Sequence, residues 1–485
     1  MLNNKKQLEI TNENKLKLFE LMRYDYCQKY THGIENLLTK LDINIPTKNI
    51  NNDQEEFLHD FINNEKLDWG DTSFHLKNKV QDINDLISLI PELESNKESI
   101  LNITTNKGYL LSILPLNLFM PEEVLLQFIP PDDFSVPHPL KDIDPYGIAS
   151  PNAKIIINSM WVATKKFEHT VLMNIHGHCP IGCSDCYKSF YVREKGHESE
   201  LGAGDPYEEV PKKLENQTKY LVEWLNTNPQ IYDVIISGGE PFLRQNSHIK
   251  ILLNEFRKAR YLRILRFCTG VIFLGLPFRI DDELLDIINE FTEEADIKIT
   301  FQAHISNHLQ ISPEAVLAVK KIKKRGFNIY SQTPIKKGIN FFLDDLEKTI
   351  FYLRELVKKQ FLIGVEPYKF IVDMHPRTLA YYIPIEALIK VYGHLFDSHI
   401  IPELERPKTL SILSKQGNIV LSSHSLFAMK KEVDYSNKFV KYRIPKLTLN
   451  DELTSIEEFI YTEPLSSFNE DPNSLEKLRK SWFKE

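Results

Sequence analysis

Three of the five cysteines fall within eight residues, in His176-Gly177-His178-Cys179-Pro180-Ile181-Gly182-Cys183-Ser184-Asp185-Cys186-Tyr187. A C-x3-C-x2-C loop offers thiolates to three corners of an iron–sulfur cubane and leaves the fourth iron without a protein ligand, open to a small molecule. The alternative is a zinc site completed by His176 or His178, since zinc favours thiolate and imidazole. Structural zinc sites usually draw ligand pairs from two separated segments, and here no second pair follows. Cys27 and Cys268 stand alone, so the odd, clustered set argues against a disulfide framework and fits a reducing compartment. A second chemical segment is Ile235-Ile236-Ser237-Gly238-Gly239-Glu240-Pro241. Its glycines let backbone approach a ligand closely, and Glu240 can accept from a ligand ammonium. Alone, the same residues also read as a turn with an N-capping carboxylate.

The elements that must hold these loops are legible in the hydrophobic pattern. Strand-length apolar runs at Val171 to Ile175, Val234 to Ile236, Ile264 to Phe267, Ile297 to Phe301, Asn328 to Tyr330 and Tyr368 to Val372 alternate with longer helical stretches. One such stretch, Pro313 to Lys324, sets Ala315, Val316, Val319 and Ile322 on one face and ends at Arg325-Gly326. This is the signature of βα repeats around a parallel sheet, and the expected fold is α/β, a partial six-unit TIM-like barrel. In such sheets ligands sit at the carboxyl ends of the strands, and the cysteine loop directly follows the first of them.

Around that barrel, expected at 166–395, the sequence predicts a helical N-terminal region over 1–110. A Pro-rich wrapping connector over 111–165 and a C-terminal extension over 396–485 complete the organisation. The extension carries one strand pair, Leu410 to Leu413 and Ile419 to Leu421. With 485 residues the chain can bury a large core without a metal, so any metal site is expected to be functional. A net charge of −8 makes nucleic acid a poor default partner. The best apolar run, Val271 to Phe278, is interrupted by Gly275 and Pro277 and is too short to span a bilayer. The first residues lack a signal-peptide pattern, so the expected location is the cytoplasm.

The cysteine loop after the first strand of a βα array resembles the radical S-adenosylmethionine superfamily. That resemblance implies a 4Fe–4S cluster on Cys179, Cys183 and Cys186, and S-adenosylmethionine bound through its amino and carboxylate groups. One electron would cleave it to a 5′-deoxyadenosyl radical. Gly238, Gly239 and Glu240 would touch the methionine moiety. The superfamily often has an aromatic residue before the third cysteine, where this chain has Asp185.

Further segments resemble the lysine 2,3-aminomutase family, in order from about Leu67 to Leu421. Leu67-Asp68-Trp69 with His75-Leu76-Lys77-Asn78-Lys79-Val80 resembles an Asp-Trp and a Leu-Lys/Arg-Asn-Arg-Ile helix before the barrel. Leu262 to Gly270, with Leu276-Pro277-Phe278-Arg279-Ile280, resembles R-I-G-T-R and L-P-x-R-I. Tyr330 to Phe341 and Glu366 to Asp373 resemble N-Q-x-x-L-L-x-G-V-N-D and P-Y-Y-x-x-x-x-D.

The family resemblance implies 1,2-amino migration on a small amino-acid substrate. It also implies a lysine joined to pyridoxal phosphate, and Lys408 is the candidate, with Lys415 second. Gln332 would flank the adenosyl or pyridoxal group, Lys188 would hold the substrate carboxylate and Asp373 a distal ammonium. Gly270 stands where the family has an arginine, and the family's glycine-rich loop is absent. Three readings stay open: an aminomutase, a pyridoxal-independent hydrogen abstraction from a small molecule or peptidyl residue, and a non-catalytic zinc-binding protein. Expected partners are an electron donor such as flavodoxin or ferredoxin, and homo-oligomers could form. The insertion at 195–215 has no assigned role.

Overall fold

A computed structural model of the chain describes residues 12–106, 110–131, 154–186, 188, 192, 207, 209–372, 378–397, 401–414, 417–421, 428–448 and 455–481. The N-terminal region is helical: α1 (Asn12–Tyr30), α2 (Glu35–Lys40), α3 (Asn52–Glu65), α4 (Thr72–Lys77), α5 (Ile83–Leu89), α6 (Lys97–Asn106) and α7 (Glu122–Leu125). Asn51, Asp71 and Asp82 start α3, α4 and α5 by accepting from the backbone N–H of Gln54, Ser73 and Asn84. Leu18, Phe19, Leu21 and Met22 of α1 are buried in the main core. Arg23 Nε donates to the buried Glu314 carboxylate at 2.7 Å, tying α1 to the sheet's helical layer.

The main sheet has ten strands in sequential order: β1 (Lys154–Ile157), β2 (Met160–Phe167), β3 (Thr170–Asn174), β4 (Asp233–Ser237), β5 (Ile264–Thr269), β6 (Lys298–His304), β7 (Asn328–Pro334), β8 (Glu366–Val372), β9 (Thr409–Ser414) and β10 (Gly417–Val420). Strands β3 through β9 are parallel, while β1, β2 and β10 add antiparallel edges. Parallel neighbours need a long crossover. The crossovers include α8 (Lys212–Leu225), α9 (Asn246–Phe256), α10 (Asp282–Glu294), α11 (Pro313–Lys324), α12 (Leu346–Ile363) and α13 (Ile385–Asp397). Helix α11 has the bounds its sequence predicts, since Ser312 accepts from Ala315 N–H and Pro313 fills the first turn.

A second, three-stranded antiparallel sheet of β11 (Lys430–Asp434), β12 (Phe439–Thr448) and β13 (Ser455–Pro464) shares a core with α13. Tyr442 Oη donates to Glu386 at 2.7 Å, and Ile385 N–H donates to Glu463, stitching that sheet to the start of α13. Among the described residues, no helix is long and apolar enough to cross a membrane.

Two expectations change. The described part of the proline-dense segment is core: Leu111, Ile113, Leu114 and Phe128 are buried, and Val80 pairs with Ile113. Proline stops regular structure without stopping burial, provided the chain presents apolar side chains between the breaks. The Leu410 run is also more than a C-terminal appendage, because β9 pairs in parallel with β8 and makes a seventh parallel strand.

The two faces of the parallel sheet differ in chemistry. Val171, Met173, Val234, Ile236, Leu265, Phe267, Ile299, Phe301 and Ile329 are all buried on the helical side. The opposite face carries Asn174 beside Ser237, then Cys268, Gln302 and Tyr330 in register, with Gln332 partnering Lys369. Parallel strands usually read apolar on both faces, so a polar inner face marks a surface kept for a ligand.

Candidate functional site

The cysteine loop leaves β3 and is held from three sides. Ile175 N–H donates to Ser237 O at 2.9 Å, extending the β3–β4 pairing by one residue. Gly239 N–H then donates to His176 O at 2.7 Å, and Glu240 N–H to His178 O at 2.9 Å. The Gly238-Gly239 backbone therefore lies directly on the loop. A Cβ on Gly239 would sit 1.9 Å from His178 O, and Gly238 has φ +134° with its Cβ position 2.3 Å from His176 O.

From below, the proline-dense segment supplies anchors the sequence reading did not assign. Ser112 Oγ donates to Pro180 O at 2.6 Å, and Gly182, at φ +83°, leaves no room for a Cβ against Ser112 O. Ser184 donates through N–H and Oγ to Gln127 O. Gln127 Nε2 donates in turn to the buried Asp185 carboxylate at 3.2 Å. Asp185, the residue that departs from the superfamily pattern, is thus a buried acceptor matched to Gln127. The sequence signal was there: an acid inside a small apolar loop needs a donor from elsewhere.

Cys183 is buried, while Cys179 and Cys186 are partly exposed. Burial pushes the Cys186 thiol up to about 11, so a bound metal rather than its surroundings would have to stabilise the thiolate. Three thiols on one anchored loop suit the donor set of an iron–sulfur cluster. Among the described residues, no three His, Cys, Asp or Glu side chains are grouped to hold a single metal ion. His176 is fully buried, neither ring nitrogen has a hydrogen-bond partner among the described residues, and burial holds it neutral.

Glu240 is buried, and its carboxylate accepts from Phe242 N–H at 3.1 Å, Thr269 Oγ1 at 2.8 Å and Gly270 N–H at 2.8 Å. It caps the Pro241–Leu243 turn and pins the end of β5 to the end of β4. Desolvation raises its pKa to about 7 despite those donors. Ionising it in the fold therefore costs free energy: its contribution is fully present below about pH 4.5 and is lost as pH rises to about 7. Glu463 behaves alike, also raised to about 7 by burial. These two carboxyls lower stability as pH rises from 5 to 7, while His75, His176 and His308, held neutral by burial, raise it over the same range. Glu240→Gln should remove its share and make the slope more positive by up to about 1.4 kcal/mol per pH unit, read from urea melts at several pH values. An unchanged slope would show that Glu240 titrates normally.

Lys188 is buried at the carboxyl ends of β3 and β4, where its ammonium donates to Ser237 Oγ at 2.9 Å, Gly238 O at 3.0 Å and Asn174 Oδ1 at 3.4 Å. Burial lowers its pKa. Next along the polar face, Cys268 donates to Gln302 Oε1 at 3.0 Å, and Gln332 Nε2 donates to the same oxygen at 3.4 Å. The structure thus brings Cys179, Cys183, Cys186, Lys188 and the Gly238–Glu240 turn to one end of the sheet, and Gln332 lies on the shared polar face.

Lys408 does not join that end. Just before β9, it is more than half exposed, 3.3 Å from Glu366 and against the rings of Tyr330 and Tyr368. Glu366 is the first residue of β8, so the side chain is directed toward the amino end of the sheet. Asp373 and Lys415 lie outside the described residues, as does most of the 195–215 insertion.

The aminomutase-like segments also find physical roles. Trp69, Phe74 and His75 pack together, and His75 stacks on Phe278 at 4.4 Å between centroids. Arg279 donates to Phe242 O and Arg244 O, bracing the turn after Glu240. Gly270, in place of an expected arginine, backs onto Ile181 of the cysteine loop, 2.7 Å from where a Cβ would lie. A side chain there would make the Ile181 and Leu274 methyls turn aside.

Against known proteins, the chain is 27% identical over 229 residues to a putative L-lysine 2,3-aminomutase of Aquifex aeolicus, covering 46% of this chain and 54% of that protein. It is 25% identical over 308 residues to the L-lysine 2,3-aminomutase of Bacillus subtilis, covering 62% and 58%. It is 20% identical over 329 residues to the glutamate 2,3-aminomutase of Clostridioides difficile, covering 67% and 70%. These similarities support a likeness to the lysine 2,3-aminomutase family of the radical S-adenosylmethionine superfamily. The match to the Aquifex family member spans about half of that relative's length. No family model matches the chain. Family members named for two different substrates, lysine and glutamate, match this sequence at comparable identity.

Proposed function

We propose that this chain is a radical S-adenosylmethionine enzyme that moves an amino group between adjacent carbons of an amino acid. The observation that carries the reading is the arrangement at one sheet end: a three-thiol loop after β3, locked by hydrogen bonds to the glycine pair after β4. Its agreement with relatives named aminomutases supports the reaction class.

A 4Fe–4S cluster on Cys179, Cys183 and Cys186 would supply one electron for reductive cleavage of S-adenosylmethionine. The protein's own part is positional. Gly238 and Gly239 hold the loop close, Glu240 fixes the neighbouring strand ends, and Lys188 offers a cation to a substrate carboxylate. Asp373, one residue beyond β8, is the proposed partner for a distal ammonium. Gln332 lies on the polar face where an adenosyl or pyridoxal group would rest. The sequential strand order supports a partial barrel, because right-handed crossovers repeated in one direction leave all helices on one face and the other face free to curve round a ligand. A small one-electron protein of the flavodoxin or ferredoxin type is the proposed donor, reaching the cluster past the partly exposed Cys179 and Cys186.

The test is anaerobic reconstitution with iron and sulfide, followed by reduction with dithionite in the presence of S-adenosylmethionine. Brown absorbance that bleaches on reduction, with release of 5′-deoxyadenosine, is expected. Amino acids are then screened for a shifted amino group. Colourless protein holding stoichiometric zinc would overturn the reading.

A further inference from the structure

We propose that a cavity between the N-terminal helices and the β6–α11 connection is a binding site for a small molecule carrying one carboxylate on an apolar body. None of its lining residues belongs to the cluster site, so the proposal stands apart from the aminomutase reading.

The cavity measures about 500 Å³, within the roughly 300–1,000 Å³ usual for small-ligand sites. Five parts of the chain meet around it: Arg23 on α1, the stretch 42–47 after α2, the stretch 119–121, the stretch 308–313 that leads into α11, and Lys359 on α12. Ile43, Phe119 and Ile311 supply apolar wall.

Two polar side chains on this lining are short of partners. Lys359 is only 7% exposed, yet no hydrogen bond or ion pair engages its ammonium among the described residues. Burial lowers its pKa; Asp42 and Glu355 attract it only from beyond ion-pair distance, and Glu355 is held by Lys358 at 3.1 Å. An ammonium left unpaired in a buried position is costly, and a carboxylate within hydrogen-bond reach offsets that cost. His308 is 6% exposed, with its ring packed edge-on to Tyr352 and its Nδ1 without a hydrogen-bond partner among the described residues. Burial holds this imidazole neutral, so it keeps one N–H to donate.

The charge count selects a monoanion. Arg23 already holds the Glu314 carboxylate through Nε at 2.7 Å and Nη2 at 3.4 Å, which leaves that pair neutral. Lys359 is then the cation on the lining that still lacks a close counterion. Asp42, exposed at the rim, repels a second negative charge, so a dianion such as phosphate is disfavoured. The remaining hold comes from apolar area removed from water along the walls.

Straight-chain carboxylates from acetate to hexanoate are the probes, titrated calorimetrically into the full chain. Hexanoate is expected to bind at one site, at least tenfold tighter than acetate, and hexylamine to show no binding. Lys359→Gln should weaken hexanoate at least tenfold and Lys359→Arg should retain most of the binding, while Lys358→Gln on the same helix changes nothing. The unsubstituted chain gives a second readout that decides the matter even if a variant misfolds. Reductive methylation mapped by mass spectrometry should be slowed several-fold by hexanoate at Lys359 and left unchanged at Lys358. Binding that Lys359→Gln leaves intact, or methylation of Lys359 that hexanoate does not slow, would overturn the site. Equal protection by inorganic phosphate would overturn the carboxylate assignment.

Discussion

Replacing Cys183 by alanine is expected to yield folded protein with no cluster chromophore and 5′-deoxyadenosine release at background. The fold should survive because the loop does not depend on that thiol for its path. Ser112 holds Pro180, Gln127 holds Ser184 and Asp185, and the Gly238–Glu240 backbone holds His176 and His178. Removing one buried sulfur leaves a small void, costing on the order of 1 kcal/mol. Catalysis has no comparable redundancy, since a cubane held by two thiolates loses the site-differentiated iron that the chemistry requires. Cys268→Ala is the matched control: that thiol donates to Gln302 on the polar face, away from the loop, and its loss should leave the chromophore intact. The comparison needs only anaerobic absorbance, iron content and a chromatographic assay for 5′-deoxyadenosine. A Cys183→Ala protein that still bleaches with dithionite and turns over would remove the cluster from this loop.

The parts of this site that were legible in sequence are those whose chemistry is local. Cys179, Cys183 and Cys186 announce themselves by spacing, and the βα alternation puts them after a strand without any knowledge of the fold. Ser312-Pro313 to Arg325-Gly326 fixes α11 because caps and breakers act over a few residues. What stayed hidden depends on partners far apart in the chain. Gln127 and Asp185 are 58 positions apart and Ser112 and Pro180 are 68, so nothing in either segment alone reveals the bond. Lys408 is the candidate by the resemblance of a proline-bounded stretch to a family segment, and its exposure and ion pair with Glu366 depend on the pairing of β9 with β8, which that stretch alone does not reveal. Glu240 shows the converse: both the ligand reading and the capping reading were open in sequence. The three donors on its carboxylate now account for the capping role.

Gly239→Ala is expected to be among the most damaging single substitutions in the chain. Its Cβ would lie 1.9 Å from His178 O, 2.3 Å from His178 C and 2.8 Å from Gly177 O. All three are backbone atoms, so no side-chain rotation relieves the clash and the two loops must separate by more than an ångström. Overpacking of this kind costs about 1–3 kcal/mol, and parting the loops also strains the bonds from Gly239 N–H to His176 O and from Glu240 N–H to His178 O. With each buried bond contributing about 1 kcal/mol or more, the sum reaches a large share of the roughly 5–15 kcal/mol that holds a domain folded. Gly270→Ala gives the scale. Its Cβ would meet the Ile181 and Leu274 methyls at 2.7 and 3.0 Å, ends of side chains that can turn aside. Denaturant melts should therefore rank Gly239→Ala well below Gly270→Ala. Reconstituted iron should follow the same order, because the displaced backbone is the one that carries Cys179. Equal stability for the two variants would mean that the glycine pair does not press on the cysteine loop, and the coupling of β4 to the cluster site would have to be abandoned.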